Sequence, residues 1–284
     1  MKCAMVILNY NDGKRAIELA DKCSKFGPIE KIVIVDNNST DDSVNYLQGI
    51  NNSKIDLVFA KDNRGFARGN NIGAKFLAEK YSPQYILFAN TDTIFSEEDI
   101  YACLEILDSN RNIGLVSMRI KDINGNEERA AWNFKPYWKY LFFNFWIYRH
   151  FTYKSDQCFY NEVSKFAFVD MVRGSFMMFS AKALFDADYF DEGTFLYFEE
   201  ECISCRLKAH GYKVAIVTNH FYIHNHITSP NSNHKKNKKI MDESLVYFLN
   251  TYYNIGKFKN KIFQIAVRIS EVEAILIEKV KQHR

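Results

Sequence analysis

Tyr85–Asp92 reads YILFANTD, an apolar run of aromatic and branched residues that stops at Asn90-Thr91-Asp92, with Pro83 just upstream. That is the pattern of a buried strand. A strand that delivers a carboxylate past its C-terminal end puts it where open α/β sheets hold their ligands. One or two acidic groups at such an edge suit a hard divalent cation whose other ligands are substrate phosphates. Asn-Thr-Asp is also good turn and helix-cap chemistry, so the neighbouring sequence has to decide between the two.

Outward from that stretch, the first 120 residues alternate strand and helix with little slack. Strands are expected at Ala4–Tyr10, Lys31–Asn37, Ile55–Lys61, Tyr85–Asn90 and Gly114–Ile120. Helices are expected at Gly13–Phe26, at Gly65–Lys80 and at Ser96–Asn110, whose Ser96-Glu97-Glu98-Asp99 start is a capping cluster. Ser39-Thr40-Asp41-Asp42 caps a further short helix. This rhythm implies a mostly parallel sheet covered by helices. Asn124-Gly125 marks a hairpin turn.

The rhythm then breaks. Lys135–Lys154 holds ten aromatics and four Lys/Arg in twenty residues, with no acid. It is read either as core or as a face for lipid headgroups, where Trp, Tyr and cations belong together. Strand signals return at Phe166–Val172, Phe176–Ser180 and Tyr212–Val217, and a helix at Glu199–His210 ends before Gly211. His224–Lys239 is polar and basic and reads as a mobile loop, followed by helices at Ile240–Tyr253 and Lys261–Gln282. The last carries Ile262, Ile265, Ile269, Val272, Leu276 and Val280 at helical spacing, a packed or dimerising face.

Bulk properties bound the function. At 284 residues the chain can bury a full core, and 47% hydrophobic with 25% charged residues is ordinary for a soluble protein. No apolar run reaches membrane-spanning length, and the N-terminal residues lack a signal-peptide cleavage region, so a cytoplasmic protein is expected. The net charge of +3 is uneven: from Lys235 onward there are 11 Lys/Arg against 5 Asp/Glu. A basic tail behind a near-neutral body suggests an anionic surface as neighbour. Nucleic acid is disfavoured because no reader motif accompanies the charge. Of the six cysteines, Cys202 and Cys205 form a lone C-x-x-C with no second pair, which reads as packing rather than zinc or redox chemistry.

Three features carry chemistry. Asp36 ends the second strand and Asp92 follows the fourth. Between them Asn63–Gly73 opens a helix with three glycines, letting backbone approach a bound group at a helix end that favours negative charge. No Gly-Lys-Ser/Thr follows, so this is not a Walker loop, and Asn9–Gly13 is not a dinucleotide fingerprint. The combination fits a nucleotide diphosphate with a metal.

Six segments in register extend this. ILNYN, IVIVDNNSTDDS, NRGFARGNNIG, ILFANTDT, VRGSFMMFS and FDEGTFLYFEEE, with Arg206 and the histidines near residue 225, resemble the family 2 glycosyltransferases of GT-A fold. The series is most similar to the rhamnosyltransferase-like branch of bacterial surface polysaccharide synthesis and runs from about residue 3 to 230. The resemblance implies an α/β GT-A fold, Rossmann-like, with a helical C-terminal extension. It implies a domain over 1–230, split into a nucleotide-sugar half at 1–120 and an acceptor half at 121–230, with residues 231–284 appended.

The resemblance also implies roles. Leu8, Tyr10 and Asp36 would hold base and ribose; Asn63, Gly65 and Asn71 would line the nucleotide and diphosphate; Asn90-Thr91 would stand beside the sugar nucleotide. Asp92 would bind a divalent metal, Mg²⁺ or Mn²⁺, joined by His224 or His226, with His224 at the better spacing. Asn90 departs from the family's two-carboxylate form. Glu200 takes the place of the catalytic base, longer by one methylene than the family's Asp, and Cys202 replaces an acidic residue. Asp191, Glu199 and Arg173 would face the acceptor. Neighbouring Glu199 and Glu201 would lift the pKa of Glu200 while the helix N-terminus lowers it. The implied reaction is inverting transfer of a rhamnose-like or other hexose from a UDP, dTDP or GDP donor to a polyprenyl-diphosphate-linked surface or capsular glycan at the inner membrane face. Such a reaction needs no covalent nucleophile. The alternatives are a non-catalytic glycan- or partner-binding homologue and a sugar-phosphate nucleotidyltransferase; the latter would want a Gly-rich, Arg-containing loop after the first strand, which ILNYNDGKR does not supply.

Overall fold

The computed structural model describes residues 2–143, 145, 164–225 and 234–282. Four strands at the N-terminus, β1 (Cys3–Asn9), β2 (Ile29–Asp36), β3 (Ile55–Phe59) and β4 (Tyr85–Ala89), pair in parallel in the order β3-β2-β1-β4. Helices α1 (Gly13–Cys23), α2 (Ser43–Gln48) and α3 (Phe66–Tyr81) connect them. The strand interiors are branched and aromatic and fully buried from Met5 to Ile7, Ile32 to Val35 and Ile86 to Phe88, which is why they read as continuous apolar runs.

The remaining elements are β5 (Thr93–Ile94), α4 (Glu97–Ser109), β6 (Ile113–Lys121), β7 (Glu127–Glu128), β8 (Ala131–Trp132), α5 (Tyr137–Phe143), β9 (Phe166–Val169), β10 (Met171–Val172) and β11 (Phe176–Ser180). There follow α6 (Ala181–Asp186), α7 (Glu199–Ala209), β12 (Lys213–His224), α8 (His234–Tyr252) and α9 (Gly256–Gln282). Helix α4 starts with the expected capping box between Ser96 and Asp99. The main sheet runs β3-β2-β1-β4-β11-β6-β12-β5, and β11 is antiparallel to both β4 and β6. The sheet is therefore mixed rather than uniformly parallel across its second half.

Strand β12 runs seven residues past its expected end. The register jumps from Val217↔Met118 to Phe221↔Arg119, so 218–220 bulge out. The bulge is fixed by Arg119 Nη1 donating to Thr218 O at 3.0 Å and by His220 Nδ1 lying 2.7 Å from Asp99 Oδ1. Past it, His224 pairs with Thr93 of β5. His224 is thus strand, not loop, and 234–239 are helix; His226 and Cys158 lie outside the described residues. Of the aromatic segment, Tyr140 is buried, whereas Trp138 and Phe142 are exposed; 144 and 146–154 lie outside the described residues.

A second apolar cluster joins the C-terminal helices to α5 and α7 through Tyr140, Cys202, Leu245, Phe248, Leu249 and Phe263. Burial pushes the Cys202 thiol far above its ordinary range, as expected for a packing cysteine. The outer face of α9 exposes Phe258, Ile262, Ile265, Ile269 and Val272. No helix among the described residues is long and apolar enough to cross a membrane.

Gly65, just before α3, has φ 103°, and a Cβ there would lie 2.1 Å from Phe195 O. Phe66 N donates to that same carbonyl at 2.9 Å. Gly65→Ala combines left-handed strain with a backbone clash. It is expected to cost about 3 kcal/mol in equilibrium urea unfolding; an unchanged midpoint would show that the 195 loop does not rest on Gly65.

Candidate active site

The strand ends are wired together. Asp36, at the end of β2, is 2% exposed. Its Oδ1 accepts from Asn9 Nδ2 at 2.7 Å and Ser39 Oγ at 2.6 Å, and its Oδ2 from Ser39 N at 3.0 Å. Asn9 Oδ1 accepts from Asp12 N at 3.1 Å, and Asp12 Oδ2 in turn accepts from the Thr91 hydroxyl. One unbroken run of hydrogen bonds therefore joins Asp36 to the loop after β4. Asp36 and Thr91 shape this edge of the sheet, and Tyr10, just past β1, is 48% exposed.

After Ala89 the chain turns: Asn90 O accepts from Thr93 N at 3.2 Å and from Thr93 Oγ1 at 2.7 Å. The turn brings Asp92 Oδ1 to 3.3 Å from Nε2 of the buried His224. Asn225 N donates to Asp92 O at 2.9 Å and locks the two strand ends side by side. No set of three His, Cys, Asp or Glu converges among the described residues. A carboxylate and an imidazole 3.3 Å apart nonetheless fit neighbouring corners of an octahedral divalent ion, where ligands on ~2.1 Å bonds stand about 3.0 Å apart. Asp92 and His224 would hold such an ion, and a diphosphate would have to supply further ligands.

The glutamates sit on the first turn of α7, entered through Tyr197 (φ 71°) and Phe198 (φ 66°). Two successive aromatic residues in the left-handed region carry strain that a packed surrounding must hold, a feature that gathers at functional sites. Phe198 gives the helix no side-chain cap, and the glutamates complement its positive end instead.

Their environments differ. Glu200 Oε1 accepts from Gly174 N at 2.9 Å. Its pKa is raised by burial, against the opposing pull of the backbone N–H groups of α7 and Gly174 and of the Arg173 charge. The expected contribution of its neighbours falls instead on them. Glu199, 5% exposed with Oε2 unpaired, is pushed well above the carboxylate range by burial and then by the Glu200 charge. Glu201 rises to about 7 for the same two reasons, offset by the helix N–H, the Trp132 indole and Arg129. Burial raises all three, and Glu200 is the one with the Gly174 N–H and the Arg173 charge opposing that rise.

Glu200 and Asp92 share one neighbourhood. Gly174, which holds Glu200, precedes Ser175, whose carbonyl accepts from Asn90 N at 3.0 Å. Ser175 Oγ and the buried Tyr222 hydroxyl are 2.7 Å apart, two residues before His224 on β12. Four elements (the ends of β4 and β12, the start of β11 and the start of α7) therefore meet.

Several residues expected at the ligand are held by neighbouring groups. Asn71 is clamped to Phe190 by hydrogen bonds of 2.9 and 3.0 Å and also donates to Glu192 at 2.9 Å. Asn63 Oδ1 accepts from Gly65 N and Asn37 Nδ2, both at 3.1 Å. Leu8 packs beneath Gly69. Arg173 reaches Glu128 at 3.3 Å. Asp191 is buried and accepts from Tyr247 at 2.8 Å, Tyr252 at 2.5 Å and Gly193 N at 2.9 Å, with Arg206 at 3.1 Å. Burial alone would raise its pKa, but those bonds and the Arg206 charge outweigh it and hold the carboxylate below its usual range. Asp191 thus ties the C-terminal helices to α7.

Residues 5–173 match the sequence family described as Glycosyl transferase family 2. The chain belongs to that family. It is 25% identical over 197 residues to the low-salt glycan biosynthesis hexosyltransferase Agl10 of Haloferax volcanii, covering 69% of this chain and 58% of the relative. It is 26% identical over 167 residues to the rhamnosyltransferase WbbL of Escherichia coli, covering 56% and 60%. The matches thus span about three-fifths of each relative's length. Among solved structures, the mannosyltransferase PcManGT of Pyrobaculum calidifontis in complex with GDP-Man and Mn²⁺ superposes with TM-score 0.58 at 12% identity, covering 99% of this chain and 80% of that one. S. aureus TarS 1–349 with UDP-GlcNAc gives 0.58 at 14% identity over 93% and 70%. GalNAc-T7 with UDP, GalNAc and Mn²⁺ gives 0.60 at 12% identity over 88% and 48%. This family 2 chain has the fold those glycosyltransferases share. Asn9 and Gly174 fall within the segments ILNYN and VRGSFMMFS, whereas Asp12 and Trp132 carried no local sequence signal.

Proposed function

We propose that this family 2 chain transfers a hexose, with inversion, from a nucleotide-diphosphate sugar to a hydroxyl of a growing surface glycan. The observation that carries the reading is the short connection Glu200–Gly174–Ser175–Asn90, which brings a part-buried carboxylate of raised pKa into the neighbourhood of the Asp92–His224 pair. Glu200 takes the proton of the acceptor hydroxyl. The freed oxygen attacks the anomeric carbon from the face opposite the diphosphate, and the carbon–oxygen bond to the nucleotide breaks. A divalent ion held by Asp92 and His224 would stabilise the charge on the departing diphosphate. The names of the two curated relatives support a rhamnose or other hexose donor and glycan synthesis. The basic C-terminal helices favour work beside an anionic membrane surface, on a polyprenyl-diphosphate-linked acceptor at its inner face.

Binding of UDP-, dTDP- and GDP-sugars, measured by calorimetry with and without Mn²⁺, tests the reading. One nucleotide is expected to bind at least tenfold more tightly with the metal, and slow donor hydrolysis is expected in that complex. A chain that binds none of the three is a non-catalytic homologue.

The exposed stripe on α9 supports self-association. Its residues recur at intervals of four, three, four and three, the narrow seam of a coiled coil rather than a broad lipid-facing surface. Arg268 and Glu273 flank it five residues apart, where opposite charges pair across two parallel helices. A second copy of the chain is the occupant. Sedimentation is expected to show Ile265→Lys as monomer at concentrations where the parent chain associates; a monomeric parent would end the idea.

A further inference from the structure

The segment 188–198, between α6 and α7, is bent at both ends. Asp188 (φ 54°) and Tyr189 (φ 58°) open it in the left-handed region, and Tyr197 (φ 71°) and Phe198 (φ 66°) close it there. None of the four is glycine, so each carries strain that only a firm surrounding can hold. Glu200 stands two residues past the second bend. What grips the segment therefore decides where the base points.

Two helices grip it. From α3, Asn71 clasps the N–H and C=O of Phe190, and Phe66 N donates to Phe195 O at 2.9 Å. From α8, Tyr247 donates to Asp191 Oδ1 and Ser244 Oγ to Leu196 O, both at 2.8 Å. Ser244 is buried, so its bond is shielded from water. A Cβ on Gly193 would lie 2.0 Å from Tyr247 Cζ, so that ring touches the backbone of the segment. Phe198 itself rests on Phe248, with ring centroids 5.7 Å apart. Ser244, Tyr247 and Phe248 are spaced three and four residues apart, so one face of α8 meets the segment from Asp191 to Phe198. The grip of α3 reaches Phe195; that of α8 reaches Leu196 and Phe198, next to the second bend.

On the glycosyl-transfer reading above, we infer that Ser244 and Tyr247 of α8 are positioning residues for the base, holding the strained entry to α7 so that Glu200 meets the acceptor hydroxyl. The C-terminal helices are then part of the catalytic apparatus, although sequence reads them as an appendage. Without the two hydroxyls the second bend relaxes and the first turn of α7 loosens, carrying Glu200 off Gly174. Small misplacements of a reacting group cost far more in rate than in binding.

The test compares the full chain with a double variant, Ser244→Ala with Tyr247→Phe, which removes both hydroxyls and leaves the ring on Gly193. Thermal melting confirms that it folds. Amide hydrogen exchange over 190–201 is expected to rise about tenfold, with β1, β2 and β4 unchanged. Activity is read as donor hydrolysis, because a base that deprotonates an acceptor also deprotonates water. The probes are UDP-glucose, UDP-GlcNAc, dTDP-rhamnose and GDP-mannose, each with Mn²⁺. On the donor that binds, turnover is expected to fall about tenfold while donor affinity stays within about twofold. In a Glu200→Gln background the same two substitutions should change turnover by less than about twofold, since no base remains to be placed. Unchanged exchange, unchanged turnover in a loosened variant, or an equal fall with and without the Glu200 carboxylate would overturn the inference. An equal fall would mark α8 as general scaffolding. A parent chain that binds none of the four donors sinks the transferase reading and this inference with it, while exchange still shows whether α8 holds the segment.

Discussion

Glu200→Gln is expected to lower the turnover of sugar transfer by about 10²–10⁴-fold, the range a positioned general base supplies, while leaving donor affinity within about twofold. The substitution isolates the proton. Glutamine keeps the length of the side chain and a carbonyl oxygen that can still accept from Gly174 N, so the 2.9 Å bond that fixes the group survives. Only the capacity to take a proton is lost. A drop in affinity with turnover intact would mean that Glu200 binds rather than reacts. The pH profile gives an independent reading, because the base works only when ionised. Burial raises its pKa, so activity should fall, as pH is lowered, at a higher pH than an ordinary glutamate of about 4.3 would give. That acidic limb should vanish in the residual activity of Glu200→Gln. A limb at the ordinary position would mean that the carboxylate is solvated in the working enzyme. Three adjacent glutamates titrate together, so the limb belongs to the cluster and not to one side chain.

What sequence reveals of this molecule follows the range of the interactions involved. Strands β1, β2 and β4 are buried on both faces and announce themselves as apolar runs, and the acidic groups at their ends stand at fixed offsets from them. The start of α7 is equally legible, because three glutamates at a helix N-terminus satisfy a local rule. Strand β12 is different. Its second half reads TNHFYIH, whose polar residues belong to a bulge paired with Arg119 and Asp99, distant in sequence. Period-two reading stops at Val217 and so leaves His224 in a loop. Asp191 shows the same limit: its partners Tyr247 and Tyr252 lie 56 and 61 residues away, and no local pattern marks a carboxylate as such a hub. Two-residue strands such as β8 carry no period at all, which hides Trp132 beside Glu201.

The pair at the end of β4 leads to a prediction about the metal itself. Asp92→Ala is expected to reduce transfer by about 10²–10³-fold, in the range of losing one electrostatic stabiliser of a developing charge, and to remove the gain in nucleotide affinity from Mn²⁺. His224→Ala should do the same more mildly, since the carboxylate stays. The double variant should be scarcely worse than Asp92→Ala, because two residues that hold one ion would not have additive effects. Ligand type then decides which ion works best. Mg²⁺ takes oxygen ligands almost alone, whereas an imidazole nitrogen is better matched by transition metals, and Mn²⁺ accepts it beside carboxylate and phosphate oxygen. The parent chain should therefore prefer Mn²⁺, and His224→Gln, whose amide oxygen can reach the place of Nε2, should move the preference toward Mg²⁺. That shift is the discriminating measurement. If His224 only braced Asp92 across 3.3 Å, Gln would weaken both metals alike and leave their ratio unchanged; a changed ratio requires the imidazole to touch the ion.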